Sequence, residues 1–534
     1  MIKGYLCFIL HAHLPYVRHP EYEHFLEERW FYEAITESYV PLIDIFDELV
    51  QENIPFRLTF SVSPPLISML SDSLLQERYI RHLNKLIELV EKETERTAGS
   101  VFHPVAIMYR DRLYRIRHIF IDKYQCNLIN AFRKFQHLGR LELITSAATH
   151  GFLPLLMTQP EVVRAQVGIA VDLFTKYFGT APPGIWLPEC AYAHGIDNFL
   201  KEFGIKYFFT DTHGVLFASH RPRYGIYAPI YCPSGVAVFG RDPESSKQVW
   251  SSTEGYPGDF DYREYYRDIG HDLDYDYIYP YIHPDGIRVN TGIKYYRITG
   301  KGHHKEHYNR ENALRKADIH AGNFLFNREH QIRHLCSLMD RAPIIVAPYD
   351  AELFGHWWFE GPDWLKSVLR KVHYDFDMIE TVTPGDYLKK YQCNQVALPC
   401  PSTWGNNGYN EVWLCRKNDW IYRHLHIAGD RMVELAELYP FVHGRLQRAI
   451  RQAARELLLA QSSDWAFIMN TGTMIDYAIR RTKQHIHNFL TLYNQVLARN
   501  VDEGLLVDLE YKNNIFQDIN VNHYRKLCTD ASTA

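Results

Sequence analysis

Tyr5-Leu6-Cys7-Phe8-Ile9-Leu10-His11-Ala12-His13-Leu14-Pro15 is an apolar run that stops on two imidazoles and a proline. A run this short, closed by polar residues, reads as a buried β-strand. Five more runs of the same kind follow, at Phe56 to Val62, Leu141 to Ala147, Gly184 to Pro188, Tyr207 to Asp211 and Ile344 to Tyr349. Helical stretches lie between them. Leu74 to Glu95 repeats Leu, Ile, Glu and Lys at helical spacing, and Ala165 to Phe178 does the same until Gly179 stops it. Strands alternating with helices predict an α/β protein built on a parallel sheet or a barrel.

Two stretches depart from that alternation. From Thr210 to about Gly258 the chain breaks into Pro, Gly, Tyr and short strand-like pieces, which reads as a small inserted domain over 191–254. Barrel segments are expected on either side, over 1–190 and 255–395. Within the second, Gly255 to Gly300 is dense in Tyr, Asp and Arg, consistent with a loop over a site. After Pro384 and Pro399-Cys400-Pro401 the pattern turns helical, with Leu425 to Leu438, Phe441 to Gln461 and Met474 to Asn500 carrying apolar residues at helical spacing. A C-terminal α-helical domain is expected over 396–534.

Composition narrows the function. At 534 residues, 46% of them apolar and 23% charged, the chain can bury a large core and divide into two or three domains. A net charge of -5 with scattered Lys and Arg offers no footprint for nucleic-acid phosphates. The apolar start is too short for a secretory or membrane-spanning segment, so a cytoplasmic protein with no membrane partner is expected. Cys7, Cys126, Cys190, Cys232, Cys336, Cys393, Cys400, Cys415 and Cys528 form no CxxC pair and read as mostly buried free thiols. Aromatic residues reach 14%, including 37 Tyr and 10 Trp. Flat rings fill cores and also stack on the apolar faces of sugars.

Ligands of parallel α/β folds gather at the carboxyl ends of the strands. Four expected strands end in His11-Ala12-His13, Thr149-His150-Gly151, Pro188-Glu189-Cys190 and Tyr349-Asp350-Ala351-Glu352, so imidazoles and carboxyls can share one pocket. Cleaving an acetal needs one carboxylate to trap the oxocarbenium-like centre and one carboxyl to protonate the leaving oxygen. Glu189 and Asp350 can fill those roles, although a lone acid after a strand also serves as a helix cap. Residues i and i+2 share a strand face, so His11 and His13 with His150 can bind substrate, hold a metal or form a structural network. Phe354 to Pro362 packs Trp357 and Trp358 into an aromatic cluster that suits either a site or a buried helix. Trp404 and Trp413, separated by a Gly/Asn stretch, fit sugar stacking better than a core.

These motifs, with Trp186-Leu187-Pro188-Glu189, Tyr349 to Trp357 and Ser462-Ser463-Asp464-Trp465, resemble glycoside hydrolase family 57, and within it the 1,4-α-glucan branching enzymes. The resemblance runs nearly end to end. It implies a distorted (β/α)7 barrel with a small inserted domain and a C-terminal α-helical domain, and a retaining mechanism with no metal or other cofactor. Glu189 is then the nucleophile and Asp350 the acid and base, while His11, His13 and His150 hold glucose hydroxyls or orient the nucleophile. Trp404, Trp413 and Asp464 fall in a glucan groove. Arg267, Gly286, Trp357 and Thr473 are further substrate-binding positions, with Thr473 standing where some relatives carry Gln. The implied partner is an α-glucan such as amylose or a glycogen-like polymer, and the implied assembly a monomer or homodimer. An α-amylase of the same family, a metal-dependent carbohydrate deacetylase and a non-catalytic glucan-binding protein are the competing readings.

Overall fold

The computed structural model describes residues 3–300, 302 and 304–526. Among the described residues there are nine strands: β1 (Gly4–Ala12), β2 (Leu58–Val62), β3 (Leu141–Ser146), β4 (Gly184–Trp186), β5 (Tyr207–Thr210), β6 (Ile230–Tyr231), β7 (Ala237–Gly240), β8 (Ile344–Asp350) and β9 (Ile379–Thr381). Their order is β6-β7-β5-β4-β3-β2-β1-β8, with β9 beside the start of β1. The seven strands from β7 to β8 run parallel, and only the short β6 pairs antiparallel.

Two observations show that this sheet curls into a barrel. Tyr5, Cys7 and Ile9 of β1, Ile144, Trp186, Tyr207, Phe209, Phe239, Ile344 and Val346 meet in one buried cluster, which draws on both ends of the strand order. At the seam, the Asp242 amide just after β7 donates to the Val346 carbonyl of β8 at 2.9 Å. The result is a distorted (β/α)7 barrel. Because the inward face repeats every second residue, His11 continues the line of Tyr5, Cys7 and Ile9 toward the barrel mouth. Parallel register sets it opposite Asp350 of β8.

Residues 191–254, expected as an inserted domain, instead carry β5, β6 and β7, and β5 and β7 are barrel strands. The misreading arises because β7 is only four residues long and its flanks are turn-rich. The excursion that does leave the alternation comes later, between the helix Pro243–Trp250 and the 29-residue helix Arg310–Leu338, where the described residues form only helices of three or four residues.

Outer helices follow the sequence pattern closely. Ser73–Arg96 starts where the Asp72 carboxylate accepts from the Leu75 amide, and Pro160–Phe178 ends at Gly179 with φ +74°. The last third of the chain packs Trp420–Leu438, Gly444–Ala460, Ser463–Thr471 and Ile475–Leu497 together. Between two of these helices His485 Nδ1 lies 2.7 Å from Glu456 Oε2, fully buried. Among the described residues no helix is long and apolar enough to cross a membrane. Of the eight described cysteines only Cys7, Cys190 and Cys232 are buried, which corrects the expectation of mostly buried thiols; Cys528 lies outside the described residues.

The loop after β8 is held by an unusually close backbone approach. Gly355 has φ +109°, and a Cβ there would sit 1.8 Å from the Glu37 carbonyl oxygen. Gly355→Ala is therefore expected to destabilise the fold by roughly 2–4 kcal/mol, read as earlier unfolding in urea than the wild type.

Candidate active site

Glu189 lies in the single turn Pro188–Cys190 that follows β4, with φ 61° and ψ 24°. His150, after β3, has φ 57°. Both are left-handed conformations that cost a non-glycine residue of order 1 kcal/mol or more, and such strain persists only where surrounding structure enforces it. Here each strained peptide is held through its own carbonyl: Trp404 N donates to Glu189 O at 3.1 Å, and Ser463 N to His150 O at 2.9 Å. Segments far along the chain thus lock the two turns.

The Glu189 carboxylate is gripped on both oxygens. Trp404 Nε1 donates to Oε2 at 2.9 Å and Ser463 Oγ to Oε1 at 3.0 Å. Asp350 ends β8 on the facing side of the same cavity. Burial pushes both carboxyls above the ordinary carboxylate range, Asp350 strongly so. For Asp350 the neighbouring Glu352 and Glu189 charges push the same way, with Arg241 partly offsetting them. For Glu189 the Trp404 and Ser463 hydrogen bonds oppose the rise. Both carboxyls are shifted toward the acid form, Asp350 the more strongly, while fixed donors limit the shift of Glu189.

Three imidazoles line the wall between them. His11 Nδ1 lies 3.0 Å from Ser61 Oγ, and its Nε2 lies 3.1 Å from His150 Nε2. His150 Nδ1 lies 2.8 Å from Ser463 Oγ. Burial pushes His11 and His150 well below the usual imidazole range. His13 differs: burial acts against its charge, but Asp464, whose Oδ2 is 3.0 Å from Nε2, with Glu189 and Glu352 outweighs burial and the net shift is upward. Its Nδ1 meets Ser63 Oγ at 2.9 Å. His13, His150 and Asp464 are close enough to share an ion, their candidate donor atoms all lying within 4.8 Å of one another. Each of those nitrogens already has a protein partner, so the donor set is engaged as a hydrogen-bond network.

The cavity has a volume of about 570 Å³. It brings together eight of the residues expected from sequence: His11, His13, His150, Glu189, Asp350, Trp404, Trp413 and Asp464. Trp413 departs from expectation in one respect. It is 1% exposed, with its ring 4.7 Å from Phe152 and its edge against Gly405, so it builds the wall more than it offers an open face. The other four lie away from this lining. Arg267 pairs with Asp272 at 2.9 Å and sits over the Tyr296 ring. Gly286 forms a turn with φ +79°, and Thr473 is exposed after the helix Ser463–Thr471. Trp357 is 56% exposed and stacks on Tyr265 at 4.5 Å, while its neighbour Trp358 is buried. The aromatic cluster thus divides between surface and core.

Sequence reading passed over Ser463, Glu352, Arg241, Trp250 and Phe467. Glu352 accepts from the His13 amide at 3.2 Å and from the Tyr39 hydroxyl, and it lines the cavity two residues after Asp350. That spacing was a usable signal. Arg241 follows the overlooked β7, and Ser463 sits inside a quoted motif whose aspartate took the attention.

Two half-buried carboxyls at the mouth of a parallel barrel, framed by tryptophans and imidazoles, define a carbohydrate-active enzyme of the two-carboxylate kind. Comparison with known proteins agrees. "Glycosyl hydrolase family 57" matches residues 7–399, and "1,4-alpha-glucan branching enzyme, C-terminal" matches residues 424–524. The chain belongs to glycosyl hydrolase family 57. It is 34% identical to a 1,4-alpha-glucan branching enzyme of Thermococcus kodakarensis, over 98% of this chain and 79% of that protein. The crystal structure of that branching enzyme in complex with glucose superposes with a TM-score of 0.88 at 33% identity, covering 98% of this chain and 97% of the other. The structure described as the novel alpha-amylase AmyC from Thermotoga maritima superposes with a TM-score of 0.92 at 48% identity, covering 98% of this chain and all of that one.

Proposed function

We propose that the protein is a retaining α-glucan transferase that cleaves α-1,4 linkages and rejoins the released segment as α-1,6 branches, in glycogen-type branching. The observation that carries this reading is the joint construction of the cavity. The barrel supplies Glu189 and Asp350, while the C-terminal helical region that matches the branching-enzyme description delivers Asp464 and Phe467 to the same lining and Ser463 to Glu189.

In the first half-reaction a Glu189 oxygen attacks the anomeric carbon as the glycosidic C–O bond breaks. The leaving oxygen takes the bonding pair and the Asp350 proton, and a β-linked glycosyl ester forms. In the second, the Asp350 carboxylate removes the proton of a glucan 6-hydroxyl, whose oxygen displaces Glu189 from the β face and restores the α configuration. Arg241 and the aromatic wall exclude water while the ester waits. The exposed Trp357–Tyr265 stack is an outer contact for a long glucan chain. Unpaired thiols at all eight described cysteines accord with a reducing, cytoplasmic setting.

The 48%-identical α-amylase supports a second reading in which water is the acceptor. Amylose separates the two. Branching is expected to lower iodine absorbance with little gain in reducing ends and to create α-1,6 linkages that a debranching enzyme releases. A proportional rise in reducing ends with no α-1,6 linkage overturns the branching reading in favour of hydrolysis.

A further inference from the structure

Four side chains stand in line behind the nucleophile. Ser61 Oγ and His11 Nδ1 are 3.0 Å apart, His11 Nε2 and His150 Nε2 3.1 Å, His150 Nδ1 and Ser463 Oγ 2.8 Å, and Ser463 Oγ and Glu189 Oε1 3.0 Å. We infer that these groups form a one-way chain of hydrogen bonds, Ser61 to His11 to His150 to Ser463 to Glu189, in which every proton points toward the nucleophile and Ser463 and Ser61 act as positioning residues. The inference rests on the reading of Glu189 as nucleophile and adds how that carboxylate is kept ionised.

Direction follows from proton counting. An ionised carboxylate only accepts, so the single proton of Ser463 is spent on Glu189. Ser463 Oγ must then accept from His150, which places a proton on His150 Nδ1. The contact between the two Nε2 atoms needs one donor and one acceptor, so His11 and His150 cannot both be cations. With His150 neutral and protonated on Nδ1, its Nε2 accepts, and His11 donates from Nε2. His11 Nδ1 is then a bare lone pair, and Ser61 is placed to donate to it. Both rings are buried, His11 at 2% and His150 at 3% exposure, where the neutral forms are favoured. Each bond in such a series polarises the next.

The last donor belongs to a different part of the chain from the rest. Ser463 opens the helix Ser463–Thr471, and its amide donates to the His150 carbonyl at 2.9 Å, so one residue sets both the His150 backbone and the Glu189 side chain. A carboxylate stabilised as an anion is also a better leaving group from the glycosyl ester. The other charged groups facing Glu189 are His13 and Asp464, with Asp350 and Arg241 across the cavity. Apart from Glu189 itself, none of these groups hydrogen-bonds the Ser463 side chain.

Neutron diffraction of the deuterated, uncomplexed protein tests direction without any activity measurement. Deuterium on His150 Nδ1 and on His11 Nε2 is the expected result, and deuterium on His150 Nε2 with none on Nδ1 overturns the chain. Kinetics test its effect. Ser463→Ala, a helix-favouring change, is expected to raise the acid limb of kcat/KM by about one pH unit and to lower kcat about tenfold. Ser463→Thr should restore both, and Ser61→Ala should move the limb in the same direction by a smaller amount. An acid limb that stays in place in Ser463→Ala removes the proposed tuning even if kcat falls. Because the neutron result is independent of turnover, failure of the chain and failure of the nucleophile reading are told apart.

Discussion

Glu189→Gly is expected to lower α-1,4 cleavage by at least about 10⁴-fold while leaving the folded protein as stable as the wild type or more so. The two halves of this prediction have different causes. Activity falls because the carboxylate proposed to form the ester is gone. Stability holds because residue 189 sits at φ 61°, where glycine relieves backbone strain, and because a buried carboxylate is removed with it. Loss of the Trp404 and Ser463 acceptor works the other way, but the cavity gives water room to replace it. Added azide fits the space left by the side chain and attacks from that same face, so partial rescue should yield the β-glucosyl azide. Thermal unfolding and the anomer of the azide product check both halves.

Asp350→Ala is expected to behave as the mirror case. Cleavage of glucan linkages should fall by about 10²–10⁴-fold, the range for loss of a general acid. A donor with a leaving group that needs no proton, such as α-glucosyl fluoride, should still load Glu189. Azide then attacks the ester from the opposite face and gives the α-glucosyl azide. If the two variants exchange anomers, the two roles must be exchanged as well. In the wild type the strongly raised Asp350 keeps the acid form available, so kcat/KM falls as pH rises through its titration and the protonated acid is lost. Glu352→Gln removes a charge that contributes to that rise, with Glu189, Arg241 and the opposite His11 left in place, and it should move the alkaline limb to lower pH.

The parts of this site that sequence makes legible are those tied to strand ends. Short apolar runs closed by His, Glu or Asp locate β1, β3, β4 and β8 to within a few residues, and with them both carboxyls and all three imidazoles. Two things escape. The short β7 and β9 lack the longer apolar run that marks the equally short β4 and β5, and β7 is flanked by turns, so β7 and the Arg241 that follows it vanish into a presumed insertion. Contacts across the chain leave little local trace: Glu189 is 215 residues from Trp404 and 274 from Ser463, and Ser463 does not differ in kind from its neighbour Ser462. Trp413 shows the opposite error. Its Gly/Asn surroundings read as an exposed loop, but the fold closes that loop onto Phe152 and buries the ring.

The backbone bonds from Trp404 and Ser463 to the Glu189 and His150 carbonyls bear on how the protein is made. Synthesis runs from the amino terminus, so every barrel strand leaves the ribosome before residues 404 and 463 exist. Until then the two left-handed turns have only their own local backbone bonds, and the Glu189 carboxylate lacks both of its donors. A nascent barrel is therefore an inert one. The grip on Glu189 is complete only once both the loop that carries Trp404 and the helix that begins at Ser463 have met the barrel.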